Sequence, residues 1–273
     1  MARMRLLNYV SLALLVGFVG FPLLQMVSVS FKDPTEQFAF PVTFIPKHFT
    51  LENFKAAIGY SDFRVYFKNS LSVAVITTAI TLVVATFGAY GFTRTDFPGR
   101  QFFLSLILFG QMICLAAIAI PIYRIIGRLN LTNSFAGLII CHLTFSIPVA
   151  IWLLRGFIHN IPRELEEAAI VDGATRLQAF FKVVVPLLRP GIGATGAYVF
   201  FLSWQEFLFS LIVMTDKAKR TLPPGIMDYV GQYETNWGSL MASCILLALP
   251  VFLIFIFIQR QLISGLTEGA IKG

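Results

Sequence analysis

Charges are sparse along this chain, and the gaps between them define its elements. Six charge-poor windows cover residues 6–31, 69–93, 101–123, 129–154, 190–215 and 235–259. Each is long enough for a helix of roughly 20 apolar residues to cross hydrocarbon. Only the fifth is interrupted by a charge, at Glu206. The pattern predicts an all-α, multi-pass membrane protein with six transmembrane helices in one domain over residues 1–273. An even number of crossings puts both termini on one side. Between the windows lie two long polar segments, residues 32–68 and 155–189.

Composition agrees with the pattern. The 273 residues are 57% hydrophobic and 13% charged, with mean hydropathy +0.78, whereas a soluble domain carries about 25% charged residues. The distribution of Lys and Arg hardly orients the chain, since 11 of the 21 fall on the side of the termini and ten on the other. A net charge of +7 without a Gly-rich basic arm or an aromatic RNA-binding motif gives no reason to expect nucleic acid. Cys114, Cys141 and Cys244 all fall within windows and lack paired spacing, so they read as packing residues rather than disulfides or metal ligands. The first apolar run is too long for a signal-peptide core and lacks a small-x-small cleavage site before Lys32, so it is expected to stay as the first helix.

The segment 155–189 holds the most informative stretch. Glu167-Ala168-Ala169 is followed by three residues, Gly173, nine more residues, and Val183-x-Val185-Pro186. Such a charged, helix-prone block cannot lie in hydrocarbon. It reads as a short helix, a glycine turn and a second short helix projecting into water. The pattern resembles the EAA loop of ABC importer permeases, and three further stretches strengthen the likeness. Ala89-Tyr90…Arg94…Phe97-Pro98-Gly99 resembles the turn of sugar-type permeases. Asn130-Leu131-Thr132-Asn133-Ser134 is similar to the family's equivalent link, and Gly265-Leu266…Gly269-Ala270…Lys272-Gly273 to its C-terminal ending. The chain is thereby identified as a member of the carbohydrate-uptake branch, of the smaller permease type. The third span departs from the pattern by having Cys114 where members commonly have a second proline, which removes the usual reason for a kink at that depth.

The resemblance implies a type I importer permease fold with 155–189 as a cytoplasmic coupling loop, cytoplasmic termini, an external segment 32–68, and a place in the bacterial plasma (inner) membrane. It implies coupling roles for Glu167, Ala168, Ala169, Asp172, Gly173 and Pro186. Glu167 would meet a basic group on an ATPase, the two alanines would keep the helix thin, and Gly173 would permit the turn, where any side chain at positive φ costs roughly 1 kcal/mol or more. It also implies partners: a homologous second permease, two ATP-binding subunits, an extracytoplasmic solute-binding protein, and lipid around the spans. The chain itself has no G-x-x-x-x-G-K-[ST] motif, so ATP and magnesium are expected on a partner and no catalysis on this chain. The G-x-G-x-x-G at Gly191-Ile192-Gly193-Ala194-Thr195-Gly196 opens a membrane helix with no strand before it, which excludes the dinucleotide reading.

Glu206 is the exceptional residue within the windows. A carboxylate at the centre of a span costs roughly 2.5–3.5 kcal/mol on insertion scales, so it must face the bundle interior or a water-filled path. On a continuous helix Ser203, Glu206 and Ser210 share one face. Polar groups with an adjacent aromatic ring suit sugar recognition. Trp204, Gln205 and Glu206, with Ser203 and Gln111, are therefore candidates for a solute path. The competing expectation is a structural hydrogen bond from Glu206 to a neighbouring helix. His142 is given no role. Two other functions remain open: import of a non-sugar solute such as glycerol phosphate or a polyamine, and ATP-independent, proton-coupled transport through Glu206.

Overall fold

The computed structural model describes residues 2–41, 43–59, 62–231 and 235–270. Lys272 and Gly273, in the ending quoted above, lie outside them, as do Val42, Tyr60 and Ser61 of the segment 32–68. The helices are α1 (Ala2–Ser30), α2 (Pro34–Gln37), α3 (Glu52–Gly59), α4 (Phe63–Arg94), α5 (Arg100–Met112), α6 (Leu115–Arg128) and α7 (Phe135–His159). They continue with α8 (Glu164–Val171), α9 (Arg176–Ala179), a π turn at Phe180–Val184, α10 (Val185–Leu187), α11 (Arg189–Trp204), α12 (Leu208–Val213), α13 (Leu222–Ile226) and α14 (Trp237–Ala270). Among the described residues the only extended pairings are isolated bridges, Lys32 with Phe49 and Val230 with Thr235.

Among the described residues four helical stretches are long and apolar enough to cross a membrane: Asn8–Ser30, Phe63–Arg94, Phe135–His159 and Trp237–Ile256. Two bent pairs bring the number to six when each counts as one crossing. These are α5 with α6, bent by 102°, and Arg176–Leu187 with α11, bent by 72°. The window 101–123 is thus not one helix. Its break falls at Ile113–Cys114, both extended, so the kink exists although no proline stands at Cys114. The window 190–215 is broken too, between α11 and α12, at Gln205–Phe207.

The residues group into two compact units. In the unit built from residues 65–223 and 251–273, α7 is the spine. Near its C-terminal half Ala150, Ile151, Leu154 and Ile158 pack with Ala85 and Ala89 of α4, with Phe180 and Val184, and with Val199 of α11. Near its N-terminal half Leu138 and Cys141 pack with Val73 of α4, Ala119 and Ile126 of α6, and Phe209 and Val213 of α12. Glycines make the crossings tight. A Cβ on Gly191 would sit 2.6 Å from Phe157 Cγ, and one on Gly196 would sit 3.1 Å from Leu82 Cδ1. Ala197, four residues after Gly193 on α11, lines an apolar groove of about 300 Å³ with Tyr198, Phe201, Ile254 and Phe255.

The unit built from residues 1–64 and 224–250 is held by polar knots. Asn53 Nδ2 donates to Ser30 O at 3.0 Å and Lys32 O at 2.7 Å, while the buried Lys32 ammonium donates to Thr43 O. Phe31 lies 4.4 Å from the Phe49 ring and 4.9 Å from the Phe54 ring, centroid to centroid. The Glu36 carboxylate accepts from the Lys47 N–H and the Thr43 hydroxyl, which hold it below the usual carboxylate range. A depressed carboxylate supports the fold above its unfolded pKa, and that support is lost as pH falls through the folded value. Most of the described apolar side chains of α1 face outward, Phe18 being 84% exposed, as suits a lipid-facing helix.

The tight crossing of α11 and α7 yields a test. Gly191→Val drives two methyls into Phe157, and overpacking of this kind costs about 1–3 kcal/mol. Thermal unfolding in detergent should show a lowered midpoint for Gly191→Val. Gly156→Ala, with nothing within 4 Å of its Cβ, should gain up to about 1 kcal/mol of helix propensity instead. Equal midpoints for the two variants would contradict the packing described.

Candidate functional site

Two sites emerge, an arm at one end of the α4–α7–α11 bundle and a buried carboxylate toward the other. The arm begins at α8, a helix of eight residues with Glu164, Glu166 and Glu167 in its first turn, where negative charge complements the helix dipole. It ends on Gly173, whose φ of +92° only glycine adopts without strain. There Gly173 N donates to Ile170 O and Ala174 N to Ala169 O, each at 3.0 Å, so the last carbonyls of α8 are satisfied. Thr175 and Gln178 then form a reciprocal capping box that starts α9. The helix, glycine turn and second helix read from the pattern are all present.

Periodicity divides the arm into two faces. Glu166, one residue before the E-A-A triplet, points inward and is buried. Its Oε1 lies 2.5 Å from Arg94 Nε, and its Oε2 accepts from the Tyr90 hydroxyl at 3.0 Å. Arg94 Nη2 donates to Ile161 O at 2.7 Å, and Arg163 Nη2 donates to Thr93 O at 3.1 Å. Four side-chain contacts therefore fasten α8 and its entry to the last turn of α4. The outward face carries Leu165, Glu167, Ala168, Ile170 and Val171, continued by Asp172 and Leu177. Ala169 and Pro186 are half-buried. Glu167 is thus free to face another molecule, while its neighbour Glu166 is not. The sequence names Arg94 as a flank of the Phe97-Pro98-Gly99 turn, but nothing in it says which of three consecutive-turn acids reaches that arginine.

At the other site Glu206 is 7% exposed and sits in the break between α11 and α12. Its Oε1 accepts the Phe209 N–H at 2.7 Å, and its Oε2 accepts the Ser210 N–H at 3.0 Å and the Ser210 hydroxyl at 3.2 Å. These are amides at the start of α12, which no preceding turn can satisfy. The carboxylate caps the helix that it interrupts. His142 of α7 completes the shell, with Nε2 3.3 Å from Glu206 Oε2 and Nδ1 2.6 Å from Ser203 Oγ. An ionised carboxylate only accepts, so Nε2 donates to Glu206, and in the neutral ring Nδ1 then accepts a hydrogen bond from the Ser203 hydroxyl. Ser203 and Ser210 do gather around Glu206, but across a break rather than along one face of a continuous helix.

The remaining path candidates are dispersed. Trp204 is buried, stacked on Phe200 at 5.6 Å and edge-on to Phe67 at 5.4 Å. Phe67 lies in the second turn of α4, so the break is displaced from mid-span toward the end opposite the arm. Gln205 is exposed, and Gln111, also exposed, donates to Phe145 O at 3.2 Å. His142, given no role on sequence grounds, is the neighbouring-helix partner of Glu206. Only its interruption of an apolar window signalled it. Among the described residues no three His, Cys, Asp or Glu side chains come together as metal ligands. His142→Leu removes one of the four donors on a buried carboxylate, a loss of about 1–3 kcal/mol. His142→Gln, which keeps an N–H donor, should recover part of it, and denaturation of the detergent-solubilised chain measures both. Wild-type stability in His142→Leu would contradict the contact.

The chain is 35% identical over 266 residues to the diacetylchitobiose uptake system permease protein of Streptomyces coelicolor, covering 97% of this chain and 96% of that one. It is 35% identical over 267 residues to the sulfoquinovosyl glycerol transport system permease protein of Agrobacterium fabrum, covering 98% and 94%. Its fold matches a chain in the crystal structure of a bacterial ABC transporter involved in import of the acidic polysaccharide alginate, with TM-score 0.82 and 19% identity over 95% of this chain and 96% of that one. It also matches a chain of the bacterial alginate transporter in complex with an alginate pentasaccharide-bound periplasmic protein, with TM-score 0.70, 16% identity and coverage of 95% and 94%. The family model for the binding-protein-dependent transport system inner membrane component matches residues 82–268, which span both the arm and the Glu206 break. The chain belongs to that family: it is an inner-membrane permease component of a binding-protein-dependent ABC transporter with a type I importer fold.

Proposed function

We propose that this chain is one of two permease subunits of an ATP-driven importer for a sugar or oligosaccharide. The observation that carries the substrate class is near-full-length similarity to permeases named for diacetylchitobiose and sulfoquinovosyl glycerol uptake. In this reading the second permease completes the solute path, two ATPase subunits hold ATP and magnesium, and a periplasmic solute-binding protein delivers the cargo. The arm and both termini lie in the cytoplasm. The outward face of α8 suits a groove on an ATPase, with Leu165, Ile170 and Val171 as its apolar contacts and Glu167 facing a basic group.

Energy reaches the path by movement rather than by chemistry on this chain. When the ATPase subunits close on ATP, the two arms are carried together, and packed bundles switch discretely between two arrangements. Gln111 and Gln205 offer exposed amides to solute hydroxyls. Ser203, Trp204 and Glu206, buried on either side of Gln205 in the chain, set the shape of the break between α11 and α12. Glu206 is fully occupied by its four donors, which favours a structural carboxylate over a proton carrier.

The test is uptake by a purified assembly reconstituted in vesicles. Affinity purification through this chain should bring down a second permease and an ATP-hydrolysing subunit. Gly173→Trp, which forces a bulky residue into φ +92° on the arm's outer surface, should abolish uptake of the transported sugar while ATP hydrolysis continues. Unchanged uptake in that variant, or uptake abolished by a protonophore yet insensitive to ATP depletion, would overturn the proposal.

A further inference from the structure

The helix that receives the arm is fastened at its other end as well. Near the start of α4, Asn69 Nδ2 donates to Ala218 O at 3.0 Å and to Arg220 O at 2.9 Å. One residue on, Ser70 Oγ accepts the Leu222 N–H at 2.7 Å. Asn69 and Ser70 are both buried. Three bonds thus tie the loop after α12, residues 214–222, to the first turns of α4. The link between α6 and α7 holds the same loop from the opposite side. Asn133 N donates to Val213 O at 2.9 Å, Asn133 Oδ1 accepts from Asp216 N at 3.1 Å, and Lys219 Nζ donates to Asn133 O at 2.9 Å.

Between its two fastened ends α4 is an unbroken helix with no proline. From Asn69 to Arg94 it spans about 38 Å at 1.5 Å per residue, the full depth of a bilayer core. Its inward side is made of small residues, with Ala74, Thr77, Thr81, Ala85 and Ala89 all buried, so it lies close against its neighbours. The other routes from the arm differ: that through α11 is broken, and α7, although one helix, carries a proline that removes an internal hydrogen bond. The path through α11 passes the 72° bend before Arg189 and the break at Glu206. The path through α7 crosses Pro148.

We infer that α4 is the transmission rod of this permease, carrying movement of the arm through the Arg94–Glu166 pair to the loop 214–222 at the opposite end, with Asn69 and Ser70 as the positioning residues that make the distal connection. This rests on the reading of the chain as a subunit driven by a separate ATPase. Tension or rotation at Glu166 is delivered to the loop that ends α12, and α12 is the short helix capped by Glu206. Opening of the path at that end and closure of the ATPase at the other are thereby one motion.

The experiment uses the complete assembly in lipid nanodiscs, with exposed Cys114 replaced by serine and Lys217→Cys as a reporter labelled by a fluorescent maleimide. In the parent assembly, ATP with magnesium and vanadate should change the labelling rate at position 217 by about fivefold or more, the lower end of ordinary inter-site coupling. Glu166→Gln and Asn69→Leu should each remove that change while ATP hydrolysis persists. The double variant should look like either single one, because the two contacts act in series. If Glu166→Gln does not assemble, Arg94→Lys takes its place, keeping the charge but not the fork that holds Glu166 and Ile161 O together. A change that survives in either variant, or a parent assembly that hydrolyses ATP with position 217 indifferent to it, overturns the rod. An assembly with no ATP-hydrolysing subunit overturns the underlying reading instead, and the rod with it.

Discussion

Arg94 and Glu166 are 72 residues apart in sequence and nearly without water between them, their side chains being 8% and 9% exposed. Removing one partner of a buried pair leaves a stranded charge, at a cost of about 3–5 kcal/mol. The pair is further satisfied by the Tyr90 hydroxyl and by Ile161 O, so both charges have the partners that burial demands. That single junction makes a charged eight-residue helix, too short to be stable alone in water, into a rigid extension of a membrane-crossing helix. A helix that merely lay on the surface would yield when pushed. One welded to α4 moves it.

The buried carboxylate at Glu206 obeys the same rule by another route. Its cost in an apolar interior is offset by two amides that the helix break would otherwise leave unsatisfied, by the Ser210 hydroxyl and by His142. Break and carboxylate explain each other: without Glu206 the start of α12 lacks acceptors, and without the break Glu206 lacks donors. Function follows from that mutual need. A span divided into α11 and α12 has a joint, and the joint lies near the loop that α4 holds through Asn69. Two fully satisfied polar clusters, one at each end of a continuous rod, are what an apolar bundle requires to move as connected pieces without exposing unpaired charge.

Much of this was legible in the residues because it depends on local rules. Charge-poor windows mark the membrane-crossing stretches, the E-A-A and glycine spacing marks the arm, and positive φ at Gly173 follows from chemistry that only glycine meets cheaply. Asn130 and Asn133, in the short link, also adopt positive φ, a conformation that asparagine tolerates better than most residues. What stayed hidden depends on contacts distant in sequence. Three glutamates in one turn of α8 look alike until Arg94 selects Glu166. His142 looks like any intramembrane histidine until Ser203 and Glu206 meet it across 61 and 64 residues. Helix breaks were the other blind spot. Hydropathy runs smoothly through Ile113–Cys114, and at Gln205–Phe207 the polar residues mark the window without saying that the helix stops there, since an apolar window records burial and not continuity. Residue type alone does not tell how Trp204 is packed, and its contacts with Phe67 and Phe200 depend on the fold.

The most direct test of the arm as a rigid part of the bundle is a distance. Spin labels at Val171, 86% exposed on the arm, and at Lys217, exposed in the distal loop, report how the two ends of the rod move relative to each other in the assembled transporter. With and without trapped ATP, the distance between them should stay constant within one subunit, while the distance between the arms of the two permeases shortens. An intrasubunit distance that changes with nucleotide while the arms converge would contradict the account.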